Sequence, residues 1–179
     1  MTEKRSDDDI AKLYDLVEDI DVAMMVTRRE DGNLVSRPMA NQVRSGGADF
    51  WFAAAIDSDK IANIRHDPHV NLTYYKDRTR EWVSIAGTAE ISQDRDKIRE
   101  LYRPDWKMWF SMDAPADPRA GTPDDPRIAL IGVHATSARF MKHDVPEPVV
   151  LFEVVRGLVT GKPPDIGTER TVAGKDLKR

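Results

Sequence analysis

The sequence predicts a mainly β protein, an antiparallel barrel of about six strands with flanking helices. Short apolar stretches of strand length recur along the chain, separated by turn signals such as Asp31-Gly32 and Gly46-Gly47. Both residues of such a pair tolerate a positive φ, which tight two-residue hairpins require. Only residues 50–75 alternate strand, helix and strand, so a doubly wound sheet is not favoured. A closed antiparallel barrel leaves few exposed sheet edges.

The first part of the chain is predicted to contain one helix and three strands. Residues 1–9 are polar and acidic and are expected to form a flexible N-terminus, whereas residues 10–20 carry apolar side chains at helical spacing. Pro38 lies within the second strand and cannot donate a ladder hydrogen bond, which indicates a sheet edge or a bulge. The three strands are residues 22–27, 34–43 and 49–54.

Residues 50–75 bring a strand directly to the start of a helix. The apolar run 50–53 is typical of a buried strand, and residues 57–59 (Asp-Ser-Asp) supply N-cap chemistry. The helix is expected to end at Asp67-Pro68, because the residue before a proline is disfavoured in the helical region. Alternating apolar residues at 70–74 predict the next strand.

The start of this helix is a candidate phosphate site. A helix N-terminus offers unpaired N–H groups and a positive dipole end, and Ser58 and Lys60 add a hydroxyl and an ammonium. The same residues also fit a surface helix capped by Ser58 or Asp57 with a solvated Lys60. Asp57 and Asp59 would moreover place negative charge where a phosphate lies. The local sequence alone favours this second interpretation.

The second part of the chain is predicted to contain two long strands, residues 81–92 and 128–141, with Gly87 as a bulge in the first of them. Residues 10–160 are expected to form one domain, followed by a polar tail at 161–179. The remaining predicted segments are a helix at 94–102, an aromatic segment at 103–112, a loop at 113–126 and a helix at 149–159.

Composition excludes several classes of protein. The chain has 27 basic and 31 acidic residues, so it lacks the basic excess typical of nucleic-acid binding. The absence of cysteine excludes disulfides, thiolate nucleophiles and zinc–cysteine sites. The polar N-terminus does not resemble a signal or transit peptide, and no apolar run approaches the length of a membrane span. A cytoplasmic protein without membrane contact is expected.

Motifs of the common catalytic folds are missing. The sequence contains no Gly-x-Ser-x-Gly elbow, Gly-x-Gly-x-x-Gly fingerprint or Walker loop. His66 and His69 flank a helix-breaking proline and have no evident third partner, so no metal site is expected.

Arginine and tryptophan side chains are weaker candidates for ligand contacts. Arg37 beside Pro38 offers a rigid donor fork for a carbonyl or phosphate, but an exposed arginine beside a strand irregularity is equally consistent. Trp82, Trp106 and Trp109 suit stacking on a ring system, although tryptophans more often belong to a core or an interface.

Taken together, these motifs resemble the FMN-binding split-barrel proteins of the pyridoxamine 5'-phosphate oxidase-like superfamily, and within it the bacterial general stress protein branch. The resemblance extends from the first helix to the start of the tail. The motifs that carry it are residues 22–27 (VAMMVT) with Asp31-Gly32, 36–39 (SRPM), 50–52 (FWF) followed by Ser58 and Lys60, 71–74 (NLTY), 83–89 (VSIAGTA) and 158–161 (LVTG).

The resemblance implies a six-stranded split barrel that forms a homodimer, with a flavin at the subunit boundary. It implies that Arg37 and Met39, with Pro38 between them, approach the isoalloxazine ring. Phe52 and Ala53 would supply the strand behind that ring.

The resemblance also implies that Ser58 and Lys60 hold the flavin phosphate, which favours the phosphate-site interpretation of the helix start. Trp82 and the segment Trp106–Trp109 would close the site from one subunit or the other. Only Arg37 and Lys60 match the basic residues that pyridoxamine phosphate oxidases place around the phosphates, so activity on pyridoxine phosphates is not expected.

The expected function is therefore that of a flavin-dependent oxidoreductase with a stress-related role, binding FMN or FAD and acting on a small-molecule substrate. NAD(P)H is a candidate reductant. The alternative is a non-catalytic flavin binder that buffers or senses flavin. A third possibility is that the barrel holds haem or a deazaflavin.

Overall fold

A computed structural model of the chain describes residues 2–110, 117–143, 152, 156 and 168–177. Within these residues the elements follow one another in this order: α1 (Thr2–Ile20), β1 (Val22–Arg28), β2 (Leu34–Ala40), β3 (Phe50–Ala55), α2 (Asp59–His66), β4 (His69–Lys76), β5 (Glu81–Ser92), α3 (Arg95–Leu101), α4 (Trp106–Phe110), β6 (Ile128–Lys142), β7 (Thr168–Ala173) and α5 (Gly174–Leu177).

The strands form one antiparallel sheet in the order β2-β1-β4-β5-β6-β3, and β7 also pairs with β6. β2 and β3 lie at the two ends of this path, and no ladder joins them in the described part of the chain. Just beyond β2, the Gln42 N–H donates to the Trp51 carbonyl over 3.0 Å. The sheet is therefore a split barrel with its gap between β2 and β3, as the family resemblance implies, and not the closed barrel that the strand pattern favours.

Two local predictions for irregular strand positions are confirmed. Pro38 lies on the edge strand β2, opposite Met24 of β1. The β5–β6 register shifts between Ala86 and Gly87, as a bulge at Gly87 requires. A Cβ at Gly87 would lie 2.5 Å from the His134 carbonyl oxygen, so a larger residue would force the two strands apart.

The predicted strand count of six is wrong, because the described chain has seven strands. The seventh, β7, forms within the segment expected to be a polar tail, and it is held by pairing with β6 and by the buried side chain of Val172. α5 follows it, and its Leu177 is also buried.

The N-terminal helix begins earlier than predicted. α1 starts at Thr2, so residues 2–9, expected to be flexible, are helical. The Arg170 guanidinium contacts the Asp9 carboxylate at 3.2 Å and ties this part of α1 to β7. The predicted helix at 149–159 lies outside the described residues except for Phe152 and Arg156, which are helical.

Two hydrophobic clusters cover the two faces of the sheet near the gap. The larger cluster fills the barrel between α1, α2 and the inward faces of the strands. The smaller cluster packs α3 and α4 on the outside of β3 and β6, around Trp51, Leu101 and Trp106. α4 is thereby fixed beside the gap. Among the described residues, no helix combines the length and the apolar character needed to cross a bilayer.

Candidate functional site

A cavity of about 560 Å³ opens at the gap between β2 and β3. More than half of the residues predicted to bind the cofactor line it. They are Pro38 and Met39 of β2, Ala53 of β3, Lys60 of α2 and Trp109 of α4. The gap thus brings together side chains from four elements that are far apart in sequence.

One wall of this cavity is aromatic and comes from α4. Trp106 is buried and donates from Nε1 to Gln42 Oε1 over 3.1 Å, which fixes the helix against the end of β2. Phe110 lines the same cavity and is also buried, whereas the side chain of Trp109 is 69% exposed. An exposed indole at the edge of an apolar cavity is available to stack on a planar ligand.

Sequence reasoning missed one cationic residue of the cavity, Arg127, because nothing in the local sequence distinguishes it from the preceding loop. Its guanidinium lines the cavity and is held by Asp125, with Nε 3.0 Å from Oδ1 and Nη2 2.7 Å from Oδ2. Asp125 is 1% exposed and also accepts from the backbone N–H of Gly121. Burial opposes ionisation, but these hydrogen bonds outweigh it and lower the pKa of Asp125 to about 2.

The start of α2 is left without a side-chain cap. Ser58 occupies the N-cap position with extended backbone (φ −74°, ψ 152°), but its hydroxyl donates to the Ala55 carbonyl over 2.6 Å instead of serving the helix. Within the described residues, the backbone N–H groups of Asp59 and Lys60 donate to no protein acceptor. Unpaired donors at a helix start are the elements of an anion site.

Two partly buried cations lie beside this helix start. Burial lowers the pKa of Lys60, and the positive charge of Arg37 lowers it further, while Asp59 acts in the opposite direction. Burial likewise lowers the pKa of Arg37, again against Asp59. Neither cation forms an ion pair within 4.0 Å in the part of the chain that the structure describes. Asp59 offsets part of this positive charge, but within the described chain it forms an ion pair with neither cation, so both side chains are available to a bound anion.

A second cavity, polar and of about 820 Å³, also lies at the start of α2. Arg37, Asp59 and Asn63 line that cavity. The Arg37 Nη1 donates to Thr27 Oγ1 over 2.6 Å, and so does Asn63 Nδ2 over 3.1 Å. Arg37 and its neighbour Pro38 therefore line different cavities.

Four predicted residues do not line the gap cavity in the single chain, namely Arg37, Phe52, Ser58 and Trp82. Phe52 is fully buried in the barrel core, because successive strand residues point to opposite faces, and it is Ala53 that faces the cavity. Trp82 lies opposite Tyr75 on the outer face of the sheet. Of the two histidines beside Pro68, His66 lines the polar cavity and His69 contacts Asp67, with 2.7 Å between Nδ1 and Oδ1.

The seven-stranded sheet, its gap and the cavity within it define a split-barrel protein. A model of the family described as pyridoxamine 5'-phosphate oxidase like matches residues 8–165. The chain belongs to this family.

Several known proteins resemble the chain. Protein bli-3 of Neurospora crassa is 33% identical over 158 residues, which cover 87% of this chain and 75% of that protein. A protein of Clostridium acetobutylicum related to general stress protein 26 has a structure with a TM-score of 0.66 at 15% identity, covering 94% of this chain and 96% of the other. A pyridoxamine 5'-phosphate oxidase-related, FMN-binding protein of Nostoc punctiforme gives a TM-score of 0.53 at 16% identity, covering 74% and 80%. These two structures share the fold.

Proposed function

We propose that the chain binds FMN, with the phosphate at the start of α2 and the isoalloxazine ring in the gap cavity. The observation that carries this proposal is the pair of partly buried cations, Lys60 and Arg37, beside an uncapped helix start and next to an apolar cavity with an aromatic wall. Family membership and the FMN-binding relative from Nostoc punctiforme support the choice of flavin.

Each part of the site has a distinct task in this proposal. Lys60 and the free N–H groups of α2 bind the phosphate oxygens. Arg37, which the resemblance places at the ring, is assigned to the phosphate because it lines the polar cavity together with Asp59, the first residue of α2. Met39 and Ala53 face the ring, and Trp109 covers it from α4.

The cofactor experiment is direct. The protein is expressed and purified without added flavin, denatured, and its released small molecules are identified by mass spectrometry and visible absorbance. FMN at close to one per chain supports the proposal. FAD, haem or a deazaflavin as the main species would contradict the assignment of FMN, as would failure of the purified chain to bind added FMN.

We further propose that the chain is an oxidoreductase, because a bound flavin can accept a hydride or single electrons and pass them on. The protein would bind and orient the flavin, and a small substrate would reach the ring through the gap cavity. Stopped-flow reduction of the FMN-loaded protein by NADH and NADPH tests this. Tight binding without reduction by either would favour a flavin-buffering or sensing protein.

The stress-related role and the cytoplasmic location stay predictions.

We propose that two copies associate through the outer face of β1, β4 and β5. Val22, Met24 and Tyr75 are 42%, 42% and 50% exposed there, and Trp82 lies opposite Tyr75. Apolar side chains grouped on one sheet face are typical of an interface. Light scattering of the purified protein should give twice the mass of 20.3 kDa, and Met24→Glu should shift that mass towards the monomer. A monomeric wild-type protein at micromolar concentration would contradict the proposal.

Trp109→Ala should weaken the binding of FMN and of riboflavin equally, by about three- to tenfold, because it removes stacking on the shared ring system. The free energy of unfolding should change by less than about 0.5 kcal/mol, since the indole is 69% exposed. Fluorescence titration and urea denaturation measure the two effects. The matched control is Met108→Ala, which removes a side chain that is 62% exposed on the same helix and should leave flavin affinity unchanged.

A further inference from the structure

Thr27 is a polar residue in an apolar position. It lies on the inward face of β1 with Ala23 and Met25, and it is 1% exposed. A hydroxyl buried in such surroundings is unfavourable unless it is hydrogen-bonded, and valine would fill nearly the same volume without that cost. A threonine at this position therefore indicates that another polar group forms a hydrogen bond with its hydroxyl.

The partners of Thr27 belong to the two elements that hold the candidate anion site. Its Oγ1 accepts from Nη1 of Arg37 on β2 at 2.6 Å and from Nδ2 of Asn63 on α2 at 3.1 Å. Asn63 is 9% exposed and lies one helical turn after Lys60. One hydroxyl thus fixes the edge strand that carries Arg37 relative to the helix that carries Lys60.

The bond to Thr27 uses one of the five N–H donors of the Arg37 guanidinium. Within the described residues, Arg37 makes no second hydrogen bond, so the other edges of its fork are open to the polar cavity that it lines. Arginine recognises a phosphate through the fixed orientation of this fork. The hydrogen bond to Thr27 fixes the orientation of the guanidinium and therefore affects how well its remaining N–H groups can bind an anion.

We propose that Thr27 is a positioning residue that orients Arg37 for the phosphate of the flavin and so determines the preference for FMN over riboflavin. This inference rests on the proposed function, because it takes the anion to be the flavin phosphate. Thr27 does not contact the ligand itself. It acts only through Arg37 and through the alignment of α2 by Asn63.

The test compares Thr27→Val with Thr27→Ser, measuring dissociation constants for FMN and for riboflavin by flavin fluorescence. Valine retains the shape and removes the acceptor, and we expect about tenfold weaker FMN binding with riboflavin binding changed by less than about twofold. Serine retains the acceptor and should retain the preference for FMN. Thr27→Ala, which also removes the hydroxyl, replaces the valine variant if that protein does not fold.

A merely structural role would give a different result, since loosening the barrel would weaken both ligands by the same factor. Equal weakening, or an unchanged preference for FMN in the valine and alanine variants, would overturn the inference. The outcome is separable from that of the proposed function. If Arg37→Ala and Lys60→Met reduce the FMN preference while the Thr27 variants keep it, only the role of Thr27 fails. If the wild-type protein binds both flavins equally, the phosphate site itself is wrong.

Discussion

Replacing Lys60 with methionine is expected to weaken FMN binding by about one to two orders of magnitude while leaving riboflavin binding nearly unchanged. The ammonium lies beside the uncapped start of α2, it is partly buried, and it has no carboxylate partner within 4.0 Å among the described residues. A charge that is partly removed from water and unpaired in the protein gains most from a bound dianion. Methionine retains most of the apolar stem, so the cavity wall stays in place.

Parallel titrations of FMN and riboflavin at fixed ionic strength provide the measurement. Lys107→Met is the matched control, because Lys107 is exposed on α4 and lines neither cavity. Its replacement removes one positive charge from the chain but none from the site. If Lys60→Met and Lys107→Met had the same effect on FMN, or if Lys60→Met weakened riboflavin as much as FMN, Lys60 would not be a phosphate ligand.

The second large effect is expected from Asp125→Asn, which should lower the free energy of unfolding at pH 7 by about 2 kcal/mol. Asp125 is buried and holds Arg127 through two side-chain hydrogen bonds, which bring its pKa to about 2. Because this pKa is lower in the folded than in the unfolded chain, the carboxylate stabilises the fold fully above about pH 5. The contribution should be lost as the pH falls through about 2.

Urea denaturation of wild-type and variant proteins between pH 7 and pH 2 tests this prediction. The difference between the two should be constant from pH 7 to about pH 5 and then shrink. Asp124→Asn is the neighbouring control, since its carboxylate is 61% exposed and pairs with an exposed Arg99, and it should change stability by less than about 0.5 kcal/mol. A destabilisation by Asp125→Asn that did not vary with pH would contradict an ionised, hydrogen-bonded Asp125.

Features fixed by a few neighbouring residues were predictable from the sequence. Proline cannot donate to a ladder, so Pro38 indicated the edge strand that the structure contains. Gly87 interrupts a long alternating strand, and the register shift occurs there. The start of α2 at Asp59 agrees with the short polar residues 57–59 that follow the preceding strand, although Ser58 forms no side-chain cap there.

Features that depend on tertiary pairing were not predictable in the same way. β7 has a short, polar sequence with one buried apolar residue, Val172, and its strand conformation comes from pairing with β6. α1 extends to Thr2 through residues that carry no apolar pattern. Apolar periodicity predicts a helix or strand only when one of its faces is buried. It does not predict an element that is held by backbone pairing or by an ion pair such as Arg170–Asp9.

The strands and helices around the candidate site were named from the sequence, but the directions of individual side chains were not. The family resemblance placed Phe52 and Ala53 together on the strand behind the ring, but the alternation of side chains along the strand directs Phe52 into the core. It grouped Arg37 with Met39, whereas Arg37 lines the polar cavity with Asn63. Arg127 was missed because its place depends on Asp125, whose burial only the folded loop reveals.

The missing ladder between β2 and β3 has a consequence for how a ligand enters and leaves. A closed barrel must break inter-strand hydrogen bonds to admit a molecule between two strands, and that opening resembles partial unfolding. In this sheet no ladder joins β2 to β3 among the described residues, so a molecule can lie between them while β1 stays paired with β2 and β4. Exchange of the proposed flavin is therefore expected to leave the ladders of β1 intact, and amide protons of β1 should stay protected against deuterium while the ligand exchanges.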